Sequence, residues 1–60
     1  MEALSEREQE VARLVAAGLA NKVIARRLGI ALGTVKAHLH NIYSRLNVGS
    51  RVAMIVALRQ

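Results

Sequence analysis

The chain has no cysteine, proline, tryptophan or phenylalanine, and no acidic residue after position 10. Without cysteine there is no disulfide framework and no Cys-based zinc site, so nothing points to secretion. Without proline, no helix need be broken from within. With Tyr43 as the one aromatic residue, the stacked-base platforms of single-strand nucleic-acid binding have no material. No apolar run reaches the roughly 18 residues of a membrane span. The opening "MEALSEREQE" is acidic and polar, the reverse of a secretory signal, so export is not expected. Sixty residues make one small domain. A chain of that size buries only about 60% of the surface its unfolded form exposes, which leaves little room for a substrate cleft. No nucleophile–base arrangement supports an enzyme, and no cofactor is implied.

What is present is positive charge, unevenly placed. The net charge is +5, and all four acids fall within the first ten residues, at Glu2, Glu6, Glu8 and Glu10. From Val11 to Gln60 there are eight Lys and Arg and no acid. Such a run suits a polyanionic partner.

The abundance of Ala, Leu, Arg and Val favours helix, and no strand alternation is evident. Glycines at 18, 29, 33 and 49 suggest turns between four helices. The first helix starts at "SERE", a capping box in which Ser5 caps backbone amides and Glu8 reaches back. Glu6 and Glu8 also suit the positive end of the helix dipole, so these acids have a structural task rather than a catalytic one. Val11, Leu14 and Val15 supply its buried stripe, with Leu4 and Leu19 near the ends. The second helix is expected over about Asn21–Leu28, with Ile24 and Leu28 inward and Arg26 and Arg27 outward. The third is expected over about Leu32–Leu46. Val35, Leu39, Ile42 and Leu46, spaced 4, 3 and 4, form its apolar face. The fourth, about Ser50–Leu58, is apolar nearly all round.

Helices two and three have the spacing of a helix-turn-helix. Ala25 is small where the next helix must approach closely. Gly29 follows four residues later, in the turn, where positive φ is expected. Val35, six residues further on, plugs the angle between the helices. At about 100° per residue, Gly33, Lys36, Ala37, His40, Asn41 and Ser44 fall opposite the apolar face. Small residues there let a helix settle into the major groove of duplex DNA. Lys36, His40 and Asn41 can then reach base edges or phosphates.

The motifs "LSEREQEVARLVAAGL", "NKVIARRLGI", "GTVKAHLHNIYSRLNV" and "SR", in that order, resemble the LuxR-type helix-turn-helix family. These are the DNA-binding output domains of quorum-sensing and NarL-like response regulators. The resemblance spans nearly the whole chain. It implies an all-α, compact four-helix domain, residues 1–60, with the third helix in the major groove of double-stranded DNA. It implies that Lys36, Ala37 and His40 read bases, and that Thr34, His38, Asn41 and Arg45 contact or support the DNA backbone. It further implies a transcriptional regulator of the bacterial cytoplasm, associated with the nucleoid, and often a preceding receiver or ligand-binding domain. The chain departs from the family at helix starts. Ala20 stands where Ser or Thr commonly caps helix two, and Val23 where Glu is usual. Ala31-Leu32 replaces a Ser or Thr followed by an acid, and Ala53 replaces the Glu that would complete a box with Ser50. A missing cap costs about 1 kcal/mol.

Three features carry competing readings. His38 and His40 point roughly 200° apart on a helix, with no third ligand available, so a metal site is not expected. Tyr43 lies at the edge of the apolar stripe and reads as a packed ring with its hydroxyl near the surface. Arg51 has three uses open to it, a phosphate contact, a local cap or a local salt bridge. Helix four offers Val52, Met54, Ile55, Val56 and Leu58, more apolar surface than one small core covers. One side packs on helix one, the other is open to a partner copy or to another domain, and a weak homodimer through this helix is expected. It lacks the basic face of a membrane-surface helix. The functional alternative to duplex DNA binding is a helix-turn-helix serving as a protein-interaction module for an acidic partner. The acid-free outward face of helix three favours DNA.

Overall fold

In the computed structural model, which describes residues 4–59, the chain forms α1 (Glu6–Ala16), α2 (Asn21–Leu28), α3 (Leu32–Leu46) and α4 (Arg51–Leu58). No strand occurs among the described residues. Glu2, counted above among the acids, lies outside them. α3 is the hub and packs on α1, α2 and α4, while α1 also packs on α2 and α4. The backbones of α2 and α4 do not pack on each other.

The core is one thin cluster with a contribution from every helix. Val11, Ala12 and Val15 come from α1, Ile24 and Ala25 from α2, Val35, Leu39 and Ile42 from α3, and Met54 from α4. On α1 the inward stripe runs through Ala12, with Leu14 only half-buried. Ala12 escapes a pattern search because one methyl group carries little hydrophobic signal, yet it lies on the same arc as Val11, Val15 and Glu8. Ala25 is buried, as a close helix approach requires. Tyr43 and Leu46 are half-buried and pack against the cluster.

Helix ends follow one rule three times. Gly18 (φ 92°), Gly29 (φ 68°) and Asn47 (φ 55°) take the left-handed conformation after α1, α2 and α3. In each case the next residue's amide reaches back to a helix carbonyl: Leu19 to Leu14 at 3.1 Å, Ile30 to Ala25 at 3.0 Å, Val48 to Tyr43 at 3.0 Å. These are Schellman motifs. Leu19, Ile30 and Val48 are then carried back, half-buried, against the core. The reading of the glycines as turn markers holds for Gly18, Gly29 and Gly49, which lie between helices, and is corrected for Gly33. Gly33 lies in the first turn of α3, and the left-handed residue ending that helix is Asn47 rather than Gly49. Asn tolerates this region because its short polar side chain bonds locally.

Helix starts fall into two classes. Ser5 accepts from the Glu8 amide at 3.2 Å while the Glu8 carboxylate accepts from the Ser5 amide at 3.0 Å, the reciprocal box read from the sequence. Ser50 accepts from the Ala53 amide at 3.1 Å. Ala20 and Ala31 hold the extended cap conformation but offer no side-chain bond. The two uncapped helices are the two of the helix-turn-helix.

Candidate nucleic-acid interface

Burying Val35, Leu39 and Ile42 decides what α3 shows to solvent. The opposite arc carries Gly33, Thr34, Lys36, Ala37, His40, Asn41 and Ser44, all exposed. Nothing lies within 4 Å of where a Gly33 side chain would begin, so this end of the face is open. The arc contains no acid, and neither does any other part of α2, α3 or α4. α2 exposes Lys22, Arg26 and Arg27, so the helix-turn-helix carries one sign of charge.

Two candidate residues lie on the flank of α3 rather than on that arc. His38 and Arg45, seven residues apart, fall on one side of the apolar stripe, two turns from each other. That side faces α1. Arg45 Nη1 lies 3.7 Å from Glu8 Oε1. His38 is half-buried. Glu8 is the one buried charged side chain in the described part. The Ser5 backbone amide donated to its carboxylate holds Glu8 below the ordinary glutamate range, with Arg45, the Ser5 hydroxyl and His38 acting in the same sense and burial opposing them. The carboxylate that caps α1 thus also pairs with the Arg45 flank of α3. The capping role was legible in the sequence. The long-range role was not, since nothing in local spacing connects Glu8 to Arg45. Of the other acids of α1, Glu10 lies 3.9 Å from Arg7 on the same helix.

Arg51 resolves to a local use. Its Nη1 donates to Asn21 Oδ1 and its Nη2 to the Leu19 carbonyl, both at 2.7 Å. On α4 the expected apolar surface narrows. Met54 is fully buried, so its place in a dimer face is corrected: its side chain completes the chain's own core. Ile55 and Leu58 are half-covered. Val52 is 73% exposed and Val56 is 52% exposed, and one helical turn separates them. Over the end of α3, His40, Tyr43, Ser44, Asn47, Val48 and Gly49 line an open depression of about 390 Å³.

The model of bacterial regulatory proteins of the luxR family matches residues 2–58. The chain belongs to that family. It is 48% identical over 56 residues to a nitrate/nitrite response regulator protein homolog of Haemophilus influenzae, an alignment covering 93% of this chain and 27% of the relative. Two solved structures superpose with a TM-score of 0.93. One is the response regulator ChrA of a heme-sensing two-component system, 47% identical, covering 100% of this chain and 30% of that one. The other is the DNA-binding domain of the response regulator ComA, crystallised with the anti-activator RapF. It is 29% identical and covers 97% of this chain and 100% of that one. The chain therefore spans less than a third of the two response regulators and the whole of the isolated DNA-binding domain. No helix among the described residues is long and apolar enough to cross a membrane.

Proposed function

We propose that this luxR-family domain binds double-stranded DNA with sequence preference, inserting α3 into the major groove, as part of a bacterial transcriptional regulator acting in the cytoplasm at the nucleoid. The observation that carries this reading is the exposed, acid-free arc of α3, together with the exposed Lys22, Arg26 and Arg27 of α2. A groove-filling helix needs small residues where backbones approach and donors where base edges lie. Gly33 and Ala37 meet the first need; Lys36, His40 and Asn41 meet the second. Lys36, Ala37 and His40 are the base-reading candidates. Thr34, His38, Asn41 and Arg45 are the backbone candidates. Arg45 is exposed, and its guanidinium reaches a phosphate by exchanging or sharing the ion pair with Glu8.

Phosphate contacts supply affinity and base contacts supply sequence choice. A titration with random-sequence duplex tests the reading. Micromolar to sub-millimolar binding that weakens steeply with salt is expected. Salt-insensitive binding, or none, would overturn it in favour of a protein-interaction module. Pairing through Val52 and Val56 of α4 would place two domains on two half-sites. The greater length of the relatives supports a receiver or ligand-binding domain on the same polypeptide as the source of the regulatory signal.

A further inference from the structure

We propose that Arg51 is a positioning residue for the helix-turn-helix: it fixes the start of α2 to α4, and uses its charge inside the domain rather than on a DNA phosphate. The proposal rests on the DNA-binding reading above. α2 and α4 share no backbone packing. Ala20 gives α2 no side-chain cap, and Asn21 is its first residue. The start of α2 is therefore held by little of its own. The Arg51 guanidinium crosses this gap with two parallel donors, one to the Asn21 side chain and one to the Leu19 carbonyl, both at 2.7 Å. Such short, charge-assisted bonds from one planar fork fix orientation as well as distance. Leu19 is also the residue that the Schellman motif of α1 folds back on the core. One side chain thus ties the end of α1, the start of α2 and the first turn of α4.

The same bonds explain why Arg51 is a poor candidate for phosphate. It is half-buried, whereas Lys22, Arg26, Arg27 and Lys36 are exposed. A side chain engaged with the backbone and Asn21 must break both bonds before it can reach DNA. Releasing it instead frees the start of α2, and α3 is seated against α2. The loss is felt at the DNA face without any DNA contact being removed.

The test measures duplex binding at several salt concentrations, well below the melting temperature, for wild type, Arg51→Ala, Arg51→Lys, Asn21→Ala and the Arg51→Ala/Asn21→Ala pair. Arg51→Ala is expected to weaken binding about 3–10-fold, the effect of losing roughly one ordinary net hydrogen bond because only part of the lost tie is felt at the DNA face, with the salt slope unchanged. Asn21→Ala is expected to lose part of that affinity, and the double variant no more than Arg51→Ala alone. Arg51→Lys keeps the charge but not the fork, and is expected to fall between wild type and Arg51→Ala. A fall of about 1 in the salt slope for Arg51→Ala would make it a phosphate contact and overturn the proposal. So would lowered melting temperatures with unchanged affinity, which would make the tie structural only. If Arg51→Ala does not fold, Asn21→Ala and Arg51→Lys decide by the same two readouts. A wild-type chain that binds no duplex overturns the DNA-binding reading itself and the positioning role with it. Wild-type binding with variants of undiminished affinity overturns the positioning role alone.

Discussion

The missing cap of α2 is a repairable defect, and its repair tests how the helix-turn-helix is stabilised. Ala20 sits at φ −72° and ψ 156°, close to the φ −65° and ψ 166° of Ser5. At Ser5 that backbone lets the hydroxyl accept the amide of the third helical residue at 3.2 Å. The equivalent amide in α2 belongs to Val23, and the first ladder bond starts one residue later, from Ile24 to the Ala20 carbonyl. Ala20 is exposed, so no core contact is lost by changing it. Ala20→Ser is therefore expected to stabilise by about 1 kcal/mol, which for a domain of this size raises Tm by about 4–8 °C. At Ala31 the gain is smaller, about 0.5 kcal/mol, because the Thr34 amide already donates to the Ala31 carbonyl at 3.0 Å. Thermal denaturation followed by circular dichroism measures both, with Ser5→Ala as a loss-of-cap control. An unchanged or lower Tm for Ala20→Ser, beside a normal loss for Ser5→Ala, would refute the reasoning. It would mean that water already satisfies the amides at the start of α2.

Other consequences can be measured in the same background. Glu8 has its carboxyl held below the ordinary value of 4.5, so its contribution is complete above that value and fades as pH falls through the lower folded one. Glu8→Gln is expected to flatten the acid limb of stability against pH; a limb as steep as that of wild type would contradict this. Gly29→Ala meets no steric obstacle, so its cost is that of the left-handed backbone alone, about 1–2 kcal/mol. Urea unfolding reads it, and a neutral result would contradict the turn geometry. Val52→Glu combined with Val56→Glu is expected to change monomer stability by no more than about 0.5 kcal/mol while abolishing paired occupancy of a two-half-site duplex. Sedimentation showing two domains still bound together would remove α4 from the interface.

The sequence carried most of the fold because helix signals are local. The stripe of Val35, Leu39 and Ile42, the Ser5–Glu8 box and the Ala25–Gly29–Val35 spacing each depend on residues within a few turns. α2 and α3 have the bounds their apolar periods indicate. What escaped was set by tertiary packing. Met54 lies on a helix that is apolar on all sides, so periodicity alone does not say which side faces the core. The pairing of Arg45 with Glu8 joins residues 37 positions apart, and that of Arg51 with Asn21 joins residues 30 apart. Neither leaves a trace in local spacing. Asn47 is a weaker helix-end signal than the glycines at the ends of α1 and α2, so its left-handed conformation is not evident from the sequence. For the candidate interface, the exposed arc of α3 was readable from the period. The placing of His38 and Arg45 on the flank facing Glu8 needed the position of α1.

The division of labour along α3 is the central claim, and paired substitutions on one helix test it most directly. Lys36 is exposed near the start of α3 and is proposed to read a base, guanine by its paired acceptors; Arg45 is near its end, beside Glu8, and is proposed to hold a phosphate. The measurement is binding of Lys36→Ala and Arg45→Ala to a selected duplex and a scrambled one at several salt concentrations. Lys36→Ala is expected to cost about 1–3 kcal/mol on the selected duplex and to relax preference at one base position. Arg45→Ala is expected to weaken both duplexes by similar factors and to lower the salt slope by about 1. If both variants lose affinity uniformly on both duplexes, with the same change in salt slope, the two residues act only as positive charge, and base reading by the start of α3 is contradicted.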